Sequence, residues 1–485
     1  MRYVSTRGLS PAVSAAEAIV RGIAPDGGLY MPESIPAFTK EELSRLPGLS
    51  YRETANLVLA KYLTDLPASE LDAAVQSAYA RFPGDSPAPI VTLGEGRYIL
   101  ELWHGPTAAF KDMALQLFPR LLPLCKEKCG DTGETRILTA TSGDTGKAAL
   151  EGFKDVPGTS VAVFYPYGGV SRIQALQMQT QTGENVAVYA IRGDFDDAQT
   201  GVKALFADEA LRAALGKKSI RLSSANSINF GRLLPQIVYY VYASSQLPGE
   251  TPADFIVPTG NFGNILAGFM AKRMGAKVGS LVSASNENKV LADFFATGVY
   301  DRRRTLVKTS SPSMDILVSS NLERLLLLKS GDPGLVRKMM ESLADTGVYR
   351  LPKKLFDEIG KDFLGGWADD AEAKAAVHRL REAHGYLADP HTAVADAVYE
   401  KLKTRLGGKT VTVSTASPYK FAPAVLEGIS GEKADGFDAM DRLHALTGVP
   451  VPEALSALRT AEVRFDKVID VKEMREAAEF LFERD

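Results

Sequence analysis

Cysteine is almost missing from this chain: Cys125 and Cys129 are the two thiols among 485 residues. So few thiols fit a reducing compartment. The pair stands four apart and shares a helix face, but no CxxC or HExxH accompanies it, so a zinc site lacks its remaining ligands. The five histidines, His104, His378, His384, His391 and His444, are too scattered to supply them. They read as structural or general hydrogen-bonding residues. Charge of one sign is also scarce. A formal net charge of −3 leaves no electrostatic footprint for nucleic acid, and the single basic run, Arg302-Arg303-Arg304, reads as a solvated loop. No run approaches the ~18 apolar residues of a membrane span. Met1 to Gly8 carry no apolar h-region, so no signal peptide is expected. These absences point to a cytoplasmic protein with no nucleic-acid and no membrane partner. They leave its assembly, monomer or homodimer, open.

The composition is that of an ordinary globular protein, 45% hydrophobic and 24% charged. The length exceeds what one core of about 250–300 residues holds, so two or three domains are expected. Residues 1–90 show helical spacing from Ala12 to Val20 and from Thr54 to Leu63, around a turn-rich insert from Ala24 to Pro32. They predict a mainly helical N-terminal domain, closed by a proline-rich connector, Pro83 to Pro89. Beyond it the pattern alternates. Strand-like runs Ile137–Ala140, Val161–Phe164, Val186–Ile191 and Phe255–Val257 are separated by helical stretches Gly146–Phe153, Ser171–Thr182, Asp196–Leu211 and Phe230–Ala243. This predicts an α/β fold with two parallel-sheet domains covered by helices. A late strand, Val411–Ser414, returns after a polar helical region. The expected division is a large discontinuous domain of 91–130 plus 251–485 and a small one of 131–250.

The chemistry concentrates in three turns. His104-Gly105-Pro106-Thr107-Ala108-Ala109-Phe110-Lys111-Asp112 sets a lysine at a loop-to-helix junction. A helix N-terminus disfavours its ammonium form, and desolvation by Phe110 and Ala109 acts in the same direction. Ser142-Gly143-Asp144-Thr145-Gly146 follows a strand and opens a helix. It is either an anion site or a plain tight turn, and it is not a Walker A loop. Gly260-Asn261-Phe262-Gly263-Asn264 repeats that arrangement after the strand Phe255–Val257. Its glycines permit close backbone approach and its asparagines offer donors, while the dinucleotide fingerprint is absent. A lysine able to form a Schiff base, set beside separate anion cradles, is what a pyridoxal-phosphate enzyme needs, since that cofactor brings an aldehyde and a phosphate. A fourth stretch, Ser223 to Arg232, is dense in Ser and Asn. One of them caps the following helix; Arg232 either reaches an oxyanion or makes a surface ion pair.

These strings together resemble threonine synthase. Asp26 to Tyr30, His104 to Asp112, Thr139 to Gly146, Ser224 to Arg232 and Val257 to Asn264 look like that family almost letter for letter. Gly193-Asp194-Phe195-Asp196-Asp197, Pro390 to Ala395 and Thr415-Ala416-Ser417-Pro418-Tyr419-Lys420 are similar to it too, although Ser417 stands where many bacterial members carry histidine. The resemblance spans roughly residues 3–425 and implies the tryptophan-synthase-β-like fold of type II pyridoxal-phosphate enzymes. By motif it makes Lys111 the residue joined to the cofactor. Gly260, Asn261, Phe262 and Asn264 would hold the cofactor phosphate, and Thr415 the pyridine nitrogen. Ser142, Asp144 and Thr145 would line the substrate side, with Ser227, Asn229 and Arg232 as candidates for a substrate phosphate. The implied reaction converts O-phospho-L-homoserine and water to L-threonine and phosphate. The alternative is a related lyase such as threonine or serine dehydratase. The cofactor is pyridoxal 5'-phosphate, and no metal is expected.

Overall fold

The computed structural model describes residues 1–94 and 96–481. Its strands form where apolar runs are bounded by turn residues and can be covered on both faces. Thr159–Pro166 is buried along its whole length, as a central strand of a two-sided parallel sheet must be. That sheet runs Val468–Asp470, Val186–Arg192, Thr159–Pro166, Glu134–Ala140, Ile220–Ser223, with every neighbour parallel. Parallel neighbours need crossovers, here the helices Asp144–Phe153 and Arg172–Gln179 between the central strands.

A second sheet has the order Phe363–Trp367, Val278–Ser285, Ala253–Pro258, Thr410–Ser414, Arg97–Glu101, Ile90–Gly94. Its pairings are parallel except for the last, where Ile90–Gly94 folds back antiparallel on Arg97–Glu101. The late strand Thr410–Ser414 lies in the middle of this sheet, between one strand from early in the chain and one from its centre. The last strand of the chain, Val468–Asp470, goes to the first sheet instead.

The sequence periodicity anticipates five of these strands, those at 137–140, 161–164, 186–191, 255–257 and 411–414, and misses the others; two further differences stand out. The helical stretch read as Asp196–Leu211 is two helices, Phe195–Ala207 and Glu209–Lys217. Asp208 between them takes extended backbone, and its carboxylate accepts from Leu211 N at 2.9 Å, starting the second helix. The N-terminal segment carries its helices, Ala15–Arg21, Tyr51–Tyr62 and Ala68–Tyr79, but also an antiparallel sheet of Val13–Ser14, Arg2–Ser5 and Tyr30–Pro32. Strands this short show no alternation to read. Among the described residues no helix is long and apolar enough to cross a membrane.

Candidate active site

The loops that leave the carboxyl ends of Glu134–Ala140, Ile220–Ser223, Ala253–Pro258 and Thr410–Ser414 line one cavity of about 780 Å³. This is where open parallel sheets present their ligand sites. Lys111 enters it from the loop after Arg97–Glu101.

The loop holds Lys111 by unusual backbone. Ala108 has φ +56°, a conformation that costs a residue with a Cβ of order 1 kcal/mol or more and persists only when neighbours enforce it. They do so here: Phe110 N donates to Thr415 O at 2.8 Å and Ser417 N to Ala108 O at 3.1 Å, so residues 108–110 run antiparallel to 415–417. Lys111 is therefore locked beside Thr415. The residue is 8% exposed, with Nζ donating to Ser313 Oγ at 3.3 Å and lying 3.6 Å from Asp144 Oδ2. Burial lowers the amine to about 8; Asp144 opposes the shift, while Arg232 and Lys420 add to it. The helix that follows, Asp112–Leu115, is a single turn. Burial and neighbouring cations, more than a helix dipole, depress this lysine.

Asp144 opens the helix Asp144–Phe153, yet its carboxylate lies under the cavity and is not part of its lining. It meets Lys420 Nζ at 2.7 Å and accepts from Gln174 Nε2 at 3.0 Å. Burial works against its ionisation, but the ammonium groups of Lys420 and Lys111 hold it far below the usual carboxylate range. Ser142 and Thr145, on the same turn, do line the cavity.

The turn at 260–264 is drawn tight. A Cβ on Gly260 would stand 2.8 Å from Ser313 O, so only glycine fits beneath that carbonyl. Phe262 has φ +63° despite its side chain; its ring is clamped among aromatics, 5.7 Å from Phe363 and 6.0 Å from Phe295. The carbonyls of Gly260 and Asn261 are fixed from outside, by Ser319 Oγ at 2.7 Å and by Asn321 N and Nδ2 at 3.1 and 2.9 Å. The helix Gly263–Met274 starts here, with its free N–H groups at the cavity. Asn264 Oδ1 accepts from Tyr239 and Tyr240 hydroxyls at 2.7 Å each, while its buried Nδ2 has no partner. An unpartnered donor, a helix N-terminus and a turn that excludes a Cβ fit a bound phosphate. Gly260→Ala should raise the dissociation constant for pyridoxal phosphate roughly 5- to 150-fold, since moving a packed backbone carbonyl costs about 1–3 kcal/mol. An equilibrium binding titration checks this. A constant within twofold of wild type would remove the turn from the cofactor site.

In the segment 223–232, Asn229 is the residue that caps. Its Oδ1 accepts from Gly231 N at 2.8 Å and its Nδ2 donates to Ile19 O at 2.9 Å, so although it lines the cavity its side chain is committed. Arg232, one turn into the Phe230–Gln246 helix, is 6% exposed and makes no surface ion pair. Its Nη1 donates to Ala225 O, and its Nε is buried without a partner. Burial lowers it to about 10, which leaves it charged at neutral pH. Ser227 Oγ accepts from Asn321 Nδ2 at 2.9 Å. Behind it the fully buried Arg324 donates to Ser227 O, Ile228 O and Tyr30 O, tying the segment to the N-terminal sheet.

Four residues stand at the site that sequence reasoning did not place there. Ser313 bridges Lys111 and the backbone above Gly260. His391, read as structural, lines the cavity; its Nε2 accepts from Ser313 N at 3.2 Å and its Nδ1 pairs with Asp389 Oδ1 at 2.7 Å. Lys420 is 0% exposed and bound to Asp144. Arg302, from the basic run read as a solvated loop, also lines the cavity. Among the described residues no cluster of side chains could hold a metal ion.

Fold and site together define a pyridoxal-phosphate-dependent enzyme of fold type II, and the family model described as "Pyridoxal-phosphate dependent enzyme" matches residues 85–417. The models "Threonine synthase N terminus" and "Threonine synthase, C-terminal" match residues 2–79 and 392–478 on either side. The chain belongs to the threonine synthase family. It is 40% identical to threonine synthase of Pseudomonas aeruginosa over 88% of this chain and 90% of that protein. It is 39% identical to human threonine synthase-like 1 over 88% of this chain, spanning 60% of that longer protein. The crystal structure of pyridoxal-phosphate-bound threonine synthase from Brucella melitensis superposes over the full length of both chains with TM-score 0.90 at 36% identity.

Proposed function

We propose that this enzyme converts O-phospho-L-homoserine and water to L-threonine and phosphate, by γ-elimination and addition of water at Cβ. The observation that carries the reading is a single cavity offering a buried amine and two separate unpartnered cationic or amide donors, Arg232 Nε and Asn264 Nδ2. Cofactor and substrate each bring a phosphate. A dehydratase substrate brings none, which disfavours that alternative, as do the threonine synthase models at both ends of the chain.

Pyridoxal phosphate, when bound, supplies an electrophilic carbon and a ring that draws electrons from the carbon bearing the substrate's amine. Gly260, Asn261, Phe262 and Asn264 would hold its phosphate, and the Thr415 hydroxyl would face its ring nitrogen. Lys111, once free and neutral, takes the Cα proton; the resulting ammonium is stabilised by Asp144. Ser142 and Thr145 bind the substrate carboxylate, and Arg232 with Ser227 its phosphate. Asp144 and Asn229, expected from sequence to touch substrate, act instead as a counter-charge and as the cap that aims the Arg232 helix. The sheet built from residues 134–223 and joined by the returning strand Val468–Asp470 belongs to the smaller domain, whose closure against the larger sheet excludes water. A cytoplasmic compartment fits the free thiols Cys125 and Cys129, and the enzyme acts as a monomer or homodimer.

Absorbance spectra before and after O-phospho-homoserine, with phosphate release followed in parallel, test the reaction. A cofactor band that ignores this substrate and shifts with threonine or serine would sink it. The depressed lysine adds a pH prediction. With Lys111 near 8, about one amine in ten is neutral at pH 7, against about one in three thousand for an ordinary lysine. Cofactor uptake by the cofactor-free chain should therefore rise with pH, pass its midpoint near pH 8 and level off above about pH 9. A rise continuing past pH 10 would show an unperturbed amine.

A further inference from the structure

We infer that Lys420 is a positioning residue for Lys111: its ammonium occupies one side of the Asp144 carboxylate and so prevents Asp144 from holding Lys111 in its protonated form. The inference rests on Lys111 being the reacting amine. It goes beyond that reading by assigning a task to a lysine that meets neither cofactor nor substrate.

The geometry divides the carboxylate in two. Oδ1 is taken by Lys420 Nζ at 2.7 Å and by Gln174 Nε2 at 3.0 Å. Oδ2 is left to Lys111 at 3.6 Å and to Ser313 Oγ at 3.4 Å. The shorter, fully buried ion pair belongs to Lys420, and the reacting amine has the longer one. Lys420 is also tied into the loop that carries Lys111, because its Nζ donates to Thr107 O at 3.0 Å. Thr107 is in turn fixed through N and Oγ1 to the buried Asp112, at 2.8 and 2.7 Å. The charged and titratable groups around Lys111 are Asp144, Arg232 and Lys420, with His391 and its partner Asp389 behind Ser313. Lys147 and Glu151, paired at 3.1 Å, lie further back on the Asp144 helix. Of the cations, Lys420 is the one that shares the Lys111 counterion.

A buried carboxylate must keep a cation. With Lys420 removed, Asp144 retains Lys111 as its one ammonium partner, and the two are drawn together. An opposite charge at close range stabilises a protonated lysine, so its titration midpoint rises. Removing Asp144 acts in the opposite sense.

The test reads Lys111 directly and needs no turnover. The cofactor-free full-length chain is trace-labelled with acetic anhydride across a pH series, and labelling at Lys111 is followed by peptide mass spectrometry. Lys420→Met should move the midpoint up by about one pH unit or more. Asp144→Asn should move it down, and the double variant should return it toward wild type. In the loaded enzyme, the acid limb of kcat/KM should follow the same order. A midpoint that stays put in Lys420→Met while Asp144→Asn lowers it would overturn the inference, leaving Lys420 a purely structural lysine. If Lys420→Met does not fold, Asp144→Asn and Lys420→Arg decide. The arginine variant should keep the wild-type midpoint, and an upward shift there equal to that of an unpaired Asp144 overturns the idea. Loss of catalysis with normal Lys111 titration would count against the proposed reaction, not against this relation.

Discussion

Lys111→Ala should lower phosphate release from O-phospho-homoserine by about 10³-fold or more while the chain remains folded. Loss of a positioned proton-transfer group alone costs about 10²–10⁴-fold, and here the same nitrogen also makes the covalent link to the cofactor. Borohydride should fix pyridoxal phosphate to the wild-type chain and not to the variant. The fold should survive because Asp144 keeps Lys420 as its counter-charge at 2.7 Å, so no bare buried carboxylate remains. Near-wild-type turnover in a steady-state phosphate assay would mean that another amine does the chemistry.

Arg232→Ala should act on substrate and spare cofactor. The guanidinium is buried and still charged at neutral pH, and its Nε lacks a protein partner. Losing one side of a desolvated charge pair costs on the order of 2–4 kcal/mol, or roughly 30- to 1000-fold in KM. The cofactor dissociation constant should stay within about threefold, because the turn at 260–264 is built by other residues. Lysine at this position should recover part of the affinity, since a point charge replaces a fork of donors. Unchanged apparent substrate affinity in Arg232→Ala would take this residue out of the site.

How much of this was legible beforehand depends on whether the signal was local. The parallel strands announced themselves as apolar runs between turns, and the turns at 142–146 and 260–264 carried the glycines that let backbone approach a ligand. The edge strand Phe363–Trp367 lies inside the stretch read as a polar helical region, where Gly365 and Gly366 interrupt its apolar run. They are small because helices press on both faces: a Cβ would meet Phe295 at 2.8 Å from Gly365 and, on the opposite side, Val398 at 2.5 Å from Gly366. The segment 300–390 offered no motif, yet it delivers Ser313, which touches Lys111 across 202 residues of chain. Lys420 and Thr107 meet across 313. No spacing rule spans such separations, so the roles of Ser313, His391 and Lys420 appear only when the sheets bring them together. Asp144 gained a partner set for a related reason. Its place in a glycine turn suggested a ligand contact, whereas two buried ammonium groups claim it.

The strand Thr410–Ser414 fills the centre of the larger sheet and brings Thr415 against Lys111. During synthesis, the strands on either side of it emerge long before it does. Arg97–Glu101 and Ala253–Pro258 must therefore wait unjoined until more than four fifths of the chain has left the ribosome. A nascent chain halted before residue 410 holds Lys111 and the glycine turns but cannot assemble them into a cofactor site. A cofactor site therefore has to wait for this strand, and the vulnerable interval for aggregation is the one in which two sheet edges stand open for a partner still inside the exit tunnel.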